Sequence, residues 1–305
     1  MDIKTIAEIA ERYQKRSAAP FGFVFKDLKT GECVACRGDE VFPTASAFKI
    51  FVLAELYRSV AAGERSLNDR VELRDDMRSM GGGLLEIMDA GICPTLHDYA
   101  LLMMTISDNT ATDILMDVLG KDNIRRNVLE ALGLEKSRSD LTVREMIDHY
   151  YGLGGRSKEA YIAEHGALPD LHKSSWFACT EAENDQSTPL EMCRMLETLY
   201  RGEWVSPEVS AQVLDVMKLC QTNRRIPRLL PRGIAVAHKT GSFDRLNVDV
   251  GIVYSPAGDY ILCTFYNGPL ADREAFDRNV YRVDGEDLIA ELSLEIYNAY
   301  TQANS

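Results

Sequence analysis

Phe42-Pro43-Thr44-Ala45-Ser46-Ala47-Phe48-Lys49, followed by the apolar run Ile50 to Tyr57, is the stretch that decides how this chain folds. It reads as a helix that begins at Thr44 or Ala45, carries a serine in its first turn and ends near Gly63. Residues three apart share a helix face. The spacing therefore predicts the Lys49 amine beside the Ser46 hydroxyl, in mostly apolar surroundings. A serine is a weak nucleophile at neutral pH unless a base lies within hydrogen-bond reach. A lysine serves as that base only if burial or a nearby positive charge lowers its pKa. The free backbone N–H groups of a helix start can also stabilise a developing oxyanion. Alone, S-x-x-K recurs on many solvated helices. Here two further motifs follow it in order, Ser107-Asp108-Asn109 and Lys239-Thr240-Gly241.

Working outward, residues 3–17 read as an amphipathic helix. Phe21 to Phe25 and Glu32 to Arg37 read as strands joined by a turn at Lys29-Thr30-Gly31. Downstream, Leu96 to Ile106 and Asn109 to Leu119 read as helices, the second capped by Asp108 and closed by Gly120. Thr188-Pro189-Leu190-Glu191 reads as a capping box opening a helix to Tyr200, and Ser206-Pro207 opens another to about Cys220. Ile234 to His238, Val248 to Tyr254 and Tyr260 to Tyr266 then read as strands, the last two joined by a turn at 255–259. Asp284 to Ala303 reads as a final helix.

Strands thus lie at both ends of the chain and helices in the middle. The expected fold is α/β in the α+β sense, an antiparallel sheet flanked by the terminal helices with an all-helical domain inserted. The expected domains are 1–44 plus 222–305 for the sheet and 45–221 for the helices, with an extended loop at about 150–185. The S-x-x-K helix and the K-T-G strand would meet at the junction, a common place for a ligand cleft.

The bulk numbers narrow the partners. Of 305 residues, 46% are hydrophobic and 27% charged, as in ordinary globular proteins. A formal charge of −13 argues against nucleic acid and anionic membrane surfaces, while a local lysine pair still suits an anionic small substrate. No run approaches the roughly 20 apolar residues of a membrane span. Met1 to Tyr13 lacks the apolar core of a secretory signal. Seven cysteines without a disulfide framework favour a reducing compartment. The expected location is cytoplasmic, or exported if the chain is a trimmed form. Cys33-Val34-Ala35-Cys36 sits in a strand pattern that sends residues three apart to opposite faces. The five histidines show no ligand spacing. No metal and no cofactor are expected, and the partner is a small molecule taken up by a monomer or weak dimer.

The segments around the motifs resemble the class A serine β-lactamase family, within the β-lactamase and penicillin-binding protein superfamily. Phe42 to Lys49 resembles the family's nucleophile helix. Met104-Thr105-Ile106-Ser107-Asp108-Asn109-Thr110-Ala111-Thr112-Asp113-Ile114-Leu115 resembles its S-D-N segment. Ile226 to Pro231 with Ala237-His238-Lys239-Thr240-Gly241-Ser242 resembles the approach to its K-T-G strand, and Asp185-Gln186-Ser187-Thr188-Pro189 the end of its omega loop. The resemblance runs from about Phe21 to the C-terminal helix. It implies a β-lactamase/transpeptidase-like fold and an acyl-enzyme on Ser46, with Lys49 as base. It further implies Ser107 as proton relay, Lys239 as a second catalytic positive charge that lowers the Lys49 pKa, Asn109 as a contact to a substrate amide, and the Thr240 and Ser242 hydroxyls as the grip on a substrate carboxylate beside that charge. Gly241 would let the substrate approach the strand, and the N–H groups of Ser46 and Ser242 would form the oxyanion hole.

One family feature is missing. Class A members carry E-x-x-x-N on the omega loop, and the glutamate activates the water that frees the acyl-enzyme. Counting back from Asp185, those positions hold His172 and Trp176. The stretch from Asn109 to Asp185 is also longer than the family's, with Tyr150-Tyr151-Gly152-Leu153-Gly154-Gly155 inside it. Glu181, and after it Glu183 or Glu164, are the candidates for a displaced base. The expected function is a serine hydrolase, most readily of β-lactams. The alternatives are a related esterase, amidase or peptidase on a carboxylate-bearing small molecule, or a slowly deacylating penicillin-binding or sensor protein.

Overall fold

The computed structural model describes residues 3–17, 19–156, 158–167, 184–243, 246–268 and 280–303. Helix α1 (Ile3–Arg16) buries Ile6, Ile9, Ala10 and Tyr13, spaced three and four apart. Strands β1 (Phe21–Asp27) and β2 (Cys33–Cys36) follow. A two-residue strand β3 (Phe42–Pro43) leads to a 3-10 turn at Ala45–Phe48 and then to α2 (Lys49–Ala61). The S-x-x-K serine therefore stands in a 3-10 turn ahead of the α-helix rather than in the helix itself. Three residues per turn still set Ser46 and Lys49 one above the other.

The helical body continues with α3 (Leu96–Thr105), α4 (Asn109–Leu119), α5 (Lys121–Ile124), α6 (Val143–Tyr151) and α7 (Lys158–His165). After β4 (Gln186–Ser187) come α8 (Pro189–Tyr200) and α9 (Pro207–Met217). The chain returns to the sheet with β5 (Ala235–Phe243), β6 (Leu246–Ser255) and β7 (Gly258–Asn267), and α10 (Val280–Ala303) closes it. Where the sequence predicts a loop from about 150, residues 158–165 form α7. His172, Trp176, Glu181 and Glu183 lie outside the described residues.

The five-stranded sheet runs β2-β1-β7-β6-β5, every pair antiparallel. Both faces are covered, so the strands read as nearly continuous apolar runs whose alternate residues serve two cores. Phe21, Phe23, Phe25, Tyr260 and Leu262 join α1 and α10 in one cluster. Val24, Val248, Val250, Ile261 and Phe265 join the helical body in the other. Helix α2 runs through that second core with Ile50 to Tyr57 all buried. Each large apolar side chain so buried adds about 1.5–3 kcal/mol.

Short polar contacts set the positions of the motifs. The β3–β4 ladder pairs Phe42 with Ser187 and Pro43 with Gln186. Thr44 N and Oγ1 both donate to Asp185 O, at 3.0 and 3.1 Å. The D-x-x-T-P segment is thus fastened beside the nucleophile turn. Asp108 caps α4 by accepting from Ala111 N at 2.9 Å. Its other oxygen accepts from Leu84 N and Leu85 N, which ties the 79–85 loop to the same helix start. The capping box expected at Thr188 is half made. Thr188 Oγ1 accepts from Glu191 N, but the Glu191 carboxylate turns to Lys136 N and Ser137 Oγ. Cys33 and Cys36 sit on opposite faces of the sheet edge. Cys33 is near Lys26 and Glu197, and Cys36 packs on the α1 side.

Candidate active site

Three segments meet at a cavity of about 400 Å³ lined by Ser46, Ser107, Asn109, Thr240 and Ser242, among others. The nucleophile turn lies against β5 at Gly241. A Cβ added there would stand 2.1 Å from Thr44 O, so only glycine lets the strand meet the turn. The close approach at Gly241 is thus made by the protein's own Thr44 rather than by a substrate. Ala45 (φ 41°) and Ser107 (φ 62°) both hold left-handed backbone without being glycine. Such strain persists only where neighbours impose it, and it gathers at functional sites.

Lys49 is fully buried. Its Nζ bonds to Ser107 O at 2.8 Å, Asn109 Oδ1 at 2.9 Å and Ser107 Oγ at 3.1 Å. None of its hydrogen bonds among the described residues runs to Ser46, which lines the cavity instead. Three oxygens already surround the amine, so the expected Lys49–Ser46 contact is not made. Lys239, also fully buried, donates to Thr240 O at 2.9 Å and to Ser107 Oγ at 3.1 Å. The Ser107 hydroxyl therefore stands between two amines. Burial, and then the charge of Lys239, hold Lys49 well below the usual lysine range. Burial takes Lys239 down to about 8, with Cys220 and Asp249 resisting the fall. Two adjacent ammonium ions in an apolar site repel strongly, and this repulsion works with burial to favour the neutral form of Lys49.

Asn109 is engaged at both ends of its amide. Its Oδ1 accepts from Lys49, and its Nδ2 donates to Met80 O at 2.8 Å. Thr240 Oγ1 is 2.7 Å from Thr222 Oγ1, and Ser242 Oγ accepts from Arg225 at 2.5 Å. Sequence reasoning missed Thr222 and Arg225. Arg225 is 1% exposed and also donates to Gly241 O, Val248 O and Asn247 Oδ1. It braces the back of the K-T-G strand. No local motif marks it, because these hydrogen-bond partners lie 16 to 23 residues away across a strand pair and Glu286, 3.5 Å away, is more distant still in the chain.

The wall opposite β5 comes from α6. Asp113 accepts from Val143 N at 2.7 Å and Arg144 N at 2.9 Å, fixing that helix start. Thr142 and Glu145 complete a capping box there. Val143, Met146 and Ile147 then face the cavity, and Phe243 closes it beside Tyr150 at a ring distance of 4.5 Å. Among the described residues no carboxylate lines the cavity. Glu164 is on α7, more than half exposed, paired with Arg156 at 3.3 Å. Val143 and Ile147 have the spacing of E-x-x-x-N and are both apolar.

No helix among the described residues is long and apolar enough to cross a membrane. Among the described residues no cluster of three or more His, Cys, Asp or Glu is arranged to hold a metal ion.

A model of the "Beta-lactamase enzyme family" matches residues 3–300. Beta-lactamase CARB-4 of Pseudomonas aeruginosa is 25% identical over 289 residues, 93% of this chain and 86% of that protein. The crystal structure of a beta-lactamase from Sphaerobacter thermophilus superposes with a TM-score of 0.77 at 27% identity, covering 99% of both chains. A mutant of PBP-A, solved as an acyl-enzyme complex with penicillin G, has the same TM-score at 24% identity, covering 99% of this chain and 97% of that one. The PBP-A likeness is one of fold.

Proposed function

Since the chain belongs to the beta-lactamase enzyme family, we propose that it forms an acyl-enzyme on Ser46 with a β-lactam that carries a carboxylate. The observation that carries this reading is Ser107 Oγ held 3.1 Å from both Lys49 and Lys239 beside the cavity that Ser46 lines. In the proposed reaction Ser46 Oγ attacks the lactam carbonyl and passes its proton to neutral Lys49. The N–H groups of Ser46 and Ser242 receive the oxyanion. The C–N bond then breaks as Ser107 gives its proton to the lactam nitrogen and regains one from Lys49. Lys239, Thr240 and Ser242 hold the substrate carboxylate, and Asn109 holds its amide.

The apolar α6 wall supports a second element of the proposal, slow release. Hydrolysis of the Ser46 ester needs an activated water, and a positioned general base contributes about 10²–10⁴-fold. Val143 and Ile147 offer none. On this wall, with Glu181 and Glu183 outside the described residues, the reading is of a protein that acylates readily and deacylates slowly, between a β-lactamase and a penicillin-binding protein in turnover.

Intact mass followed in time after adding a penicillin and a chromogenic cephalosporin tests both elements. The expected result is an adduct on Ser46 that outlasts the first turnover and is absent in Ser46→Ala, whose acylation falls at least about 10³-fold. Fast steady turnover without adduct would overturn slow release. No adduct and no product with either compound would overturn the β-lactam and leave another carboxylate-bearing amide or ester.

A further inference from the structure

The side of the cavity that carries Asn109 continues outward into an apolar turn. Gly81 and Gly82 line the cavity with Asn109. Asn109 N donates to Gly82 O at 3.1 Å, and Asn109 Nδ2 donates to Met80 O at 2.8 Å. A Cβ at Gly82 would meet nothing within 4 Å, so the lip is open there. Two residues on, Leu84, Ile87 and Met88 are 49%, 80% and 40% exposed. Ile87 N and Met88 N both donate to Leu84 O, at 3.1 and 3.2 Å. The segment is thus one helical turn, and residues three and four apart on it share a face. Leu85, 1% exposed, roots the turn in the core.

This exposure is built into the fold. Asp108 Oδ2 accepts from Leu84 N and Leu85 N at 2.7 and 3.0 Å. At the other end Arg78 Nη1 donates to Leu85 O and Glu86 O, and Nη2 to Met88 O, at 2.8, 2.9 and 2.6 Å. A carboxylate at the start of the turn and a guanidinium at its end satisfy its free N–H and C=O groups with charge-assisted bonds. An apolar cluster held in water by charged groups is a contact surface in search of a partner, and its continuity with the cavity indicates which.

In the proposed reaction the substrate carboxylate lies at Thr240 and Ser242 and its amide at Asn109. Whatever extends beyond that amide passes Gly81 and Gly82. Ile147 gives the passage an apolar side, since a Cβ at Gly81 would stand 3.3 Å from Ile147 Cδ1. The cavity, about 400 Å³, is at the lower end of ligand pockets, which span about 300–1,000 Å³, so a long group runs out over the lip. Glu86 and Asp89 belong to the same loop, and the chain carries a formal charge of −13, which disfavours an anionic tail or an anionic membrane. We propose that Leu84, Ile87 and Met88 form an outer subsite for the acyl side chain of the substrate, and that this side chain is a long, uncharged alkyl group. The subsite rests on the acylation chemistry proposed above.

The test is the second-order rate of Ser46 acylation, read by intact mass, for penicillins whose side-chain amide carries an acetyl, hexanoyl or decanoyl group. Each methylene drawn from water is worth about fourfold in binding. The wild type should react with the decanoyl compound at least about tenfold faster than with the acetyl one. The gain should lie in the concentration for half-saturation, with the limiting rate unmoved. Ile87→Ser/Met88→Ser should lose most of that gain and keep the acetyl rate within about twofold. Both side chains are exposed, so the fold does not depend on them. Equal rates across the series, or a gain untouched by the double variant, overturns the subsite. So does a wild-type dimer that the double variant dissociates with every rate unmoved, which makes the turn an interface between copies. A second measurement does not need acylation. By calorimetry Ser46→Ala should bind N-decanoylglycine more tightly than N-acetylglycine, and adding the double change should cancel the difference. No difference overturns the subsite. That difference, together with no adduct from any penicillin, keeps the subsite and overturns instead the reading of Ser46.

Discussion

Ser107 receives two buried amines at 3.1 Å each, and this single geometry governs how the site should respond to pH. Lys49 is a base only when neutral, so acylation should rise as pH climbs through its lowered pKa. In the proposed reaction Lys239 holds the substrate carboxylate only when protonated, so acylation should decline above about pH 8. A bell-shaped profile of acylation rate checks both signs. A second residue-scale prediction concerns Gly241. A Cβ there would meet backbone, which cannot swing away. Gly241→Ala should therefore push the nucleophile turn off β5, lower stability by about 1–3 kcal/mol and slow acylation more than tenfold. Melting temperature and adduct formation read the two effects. At this scale the sequence was informative wherever chemistry is local or repeated as a motif. Ser46, Ser107, Asn109, Thr240 and Ser242 all line the cavity, and Lys49 and Lys239 reach Ser107 beside it. Thr222 and Arg225 were not legible, because a threonine or arginine in a loop signals nothing until β5 and β6 pair behind it.

Helix α6 is the element on which the proposed slow release rests. Asp113 and the Thr142–Glu145 box fix its start, so Val143 and Ile147 are held toward the cavity. Asp113→Ala should cost about 1–2 kcal/mol through the lost caps, measurable by urea denaturation. Val143→Glu should shorten the lifetime of the Ser46 adduct by about 10²-fold, the low end of what a general base supplies, read as decay of adduct mass. The segment that holds α6 against the nucleophile turn carries a buried acid. Asp185 Oδ1 accepts from Asp140 N and Leu141 N, and burial raises its pKa well above 3.8. A raised carboxyl contributes stability that is full below its unfolded pKa and is lost as pH rises through the folded one. Asp185→Asn keeps the acceptor and removes the ionisation. It should raise the melting temperature at neutral pH and change it little in acid. Element ends were legible where a cap is written locally, as at Asp108 and Ser206. Strand ends were not. Strand β5 runs on through Phe243 because β6 pairs with it residue for residue, and a strand's length is set by its neighbour.

At the scale of the molecule, the helical body and the sheet share one core. Phe48, Phe51 and Leu53 of the nucleophile segment lie in the same buried cluster as Val248, Val250 and Phe265 of the sheet. The division into 1–44 plus 222–305 and 45–221 is therefore proposed as a path of the chain, without independent folding. Calorimetry should show one transition with equal calorimetric and van't Hoff enthalpies, and residues 45–221 expressed alone should not reach a native-like state. Two separable transitions would refute this. What the sequence determined by itself was the class of fold, the order of its main elements apart from β3, β4 and the α5–α7 stretch, and which motif residues line the cavity. Periodicity, caps and short motifs act through neighbours along the chain, and these are readable in order. Only the tertiary structure decided that Lys49 turns to Ser107, that Gly241 makes room for Thr44 and that α6 presents an apolar wall. It alone brought His238 and Asp249 together on β5 and β6. Each of those facts is a contact between segments distant in sequence, made when burial of a common core brings them into register, and no local pattern encodes such a meeting.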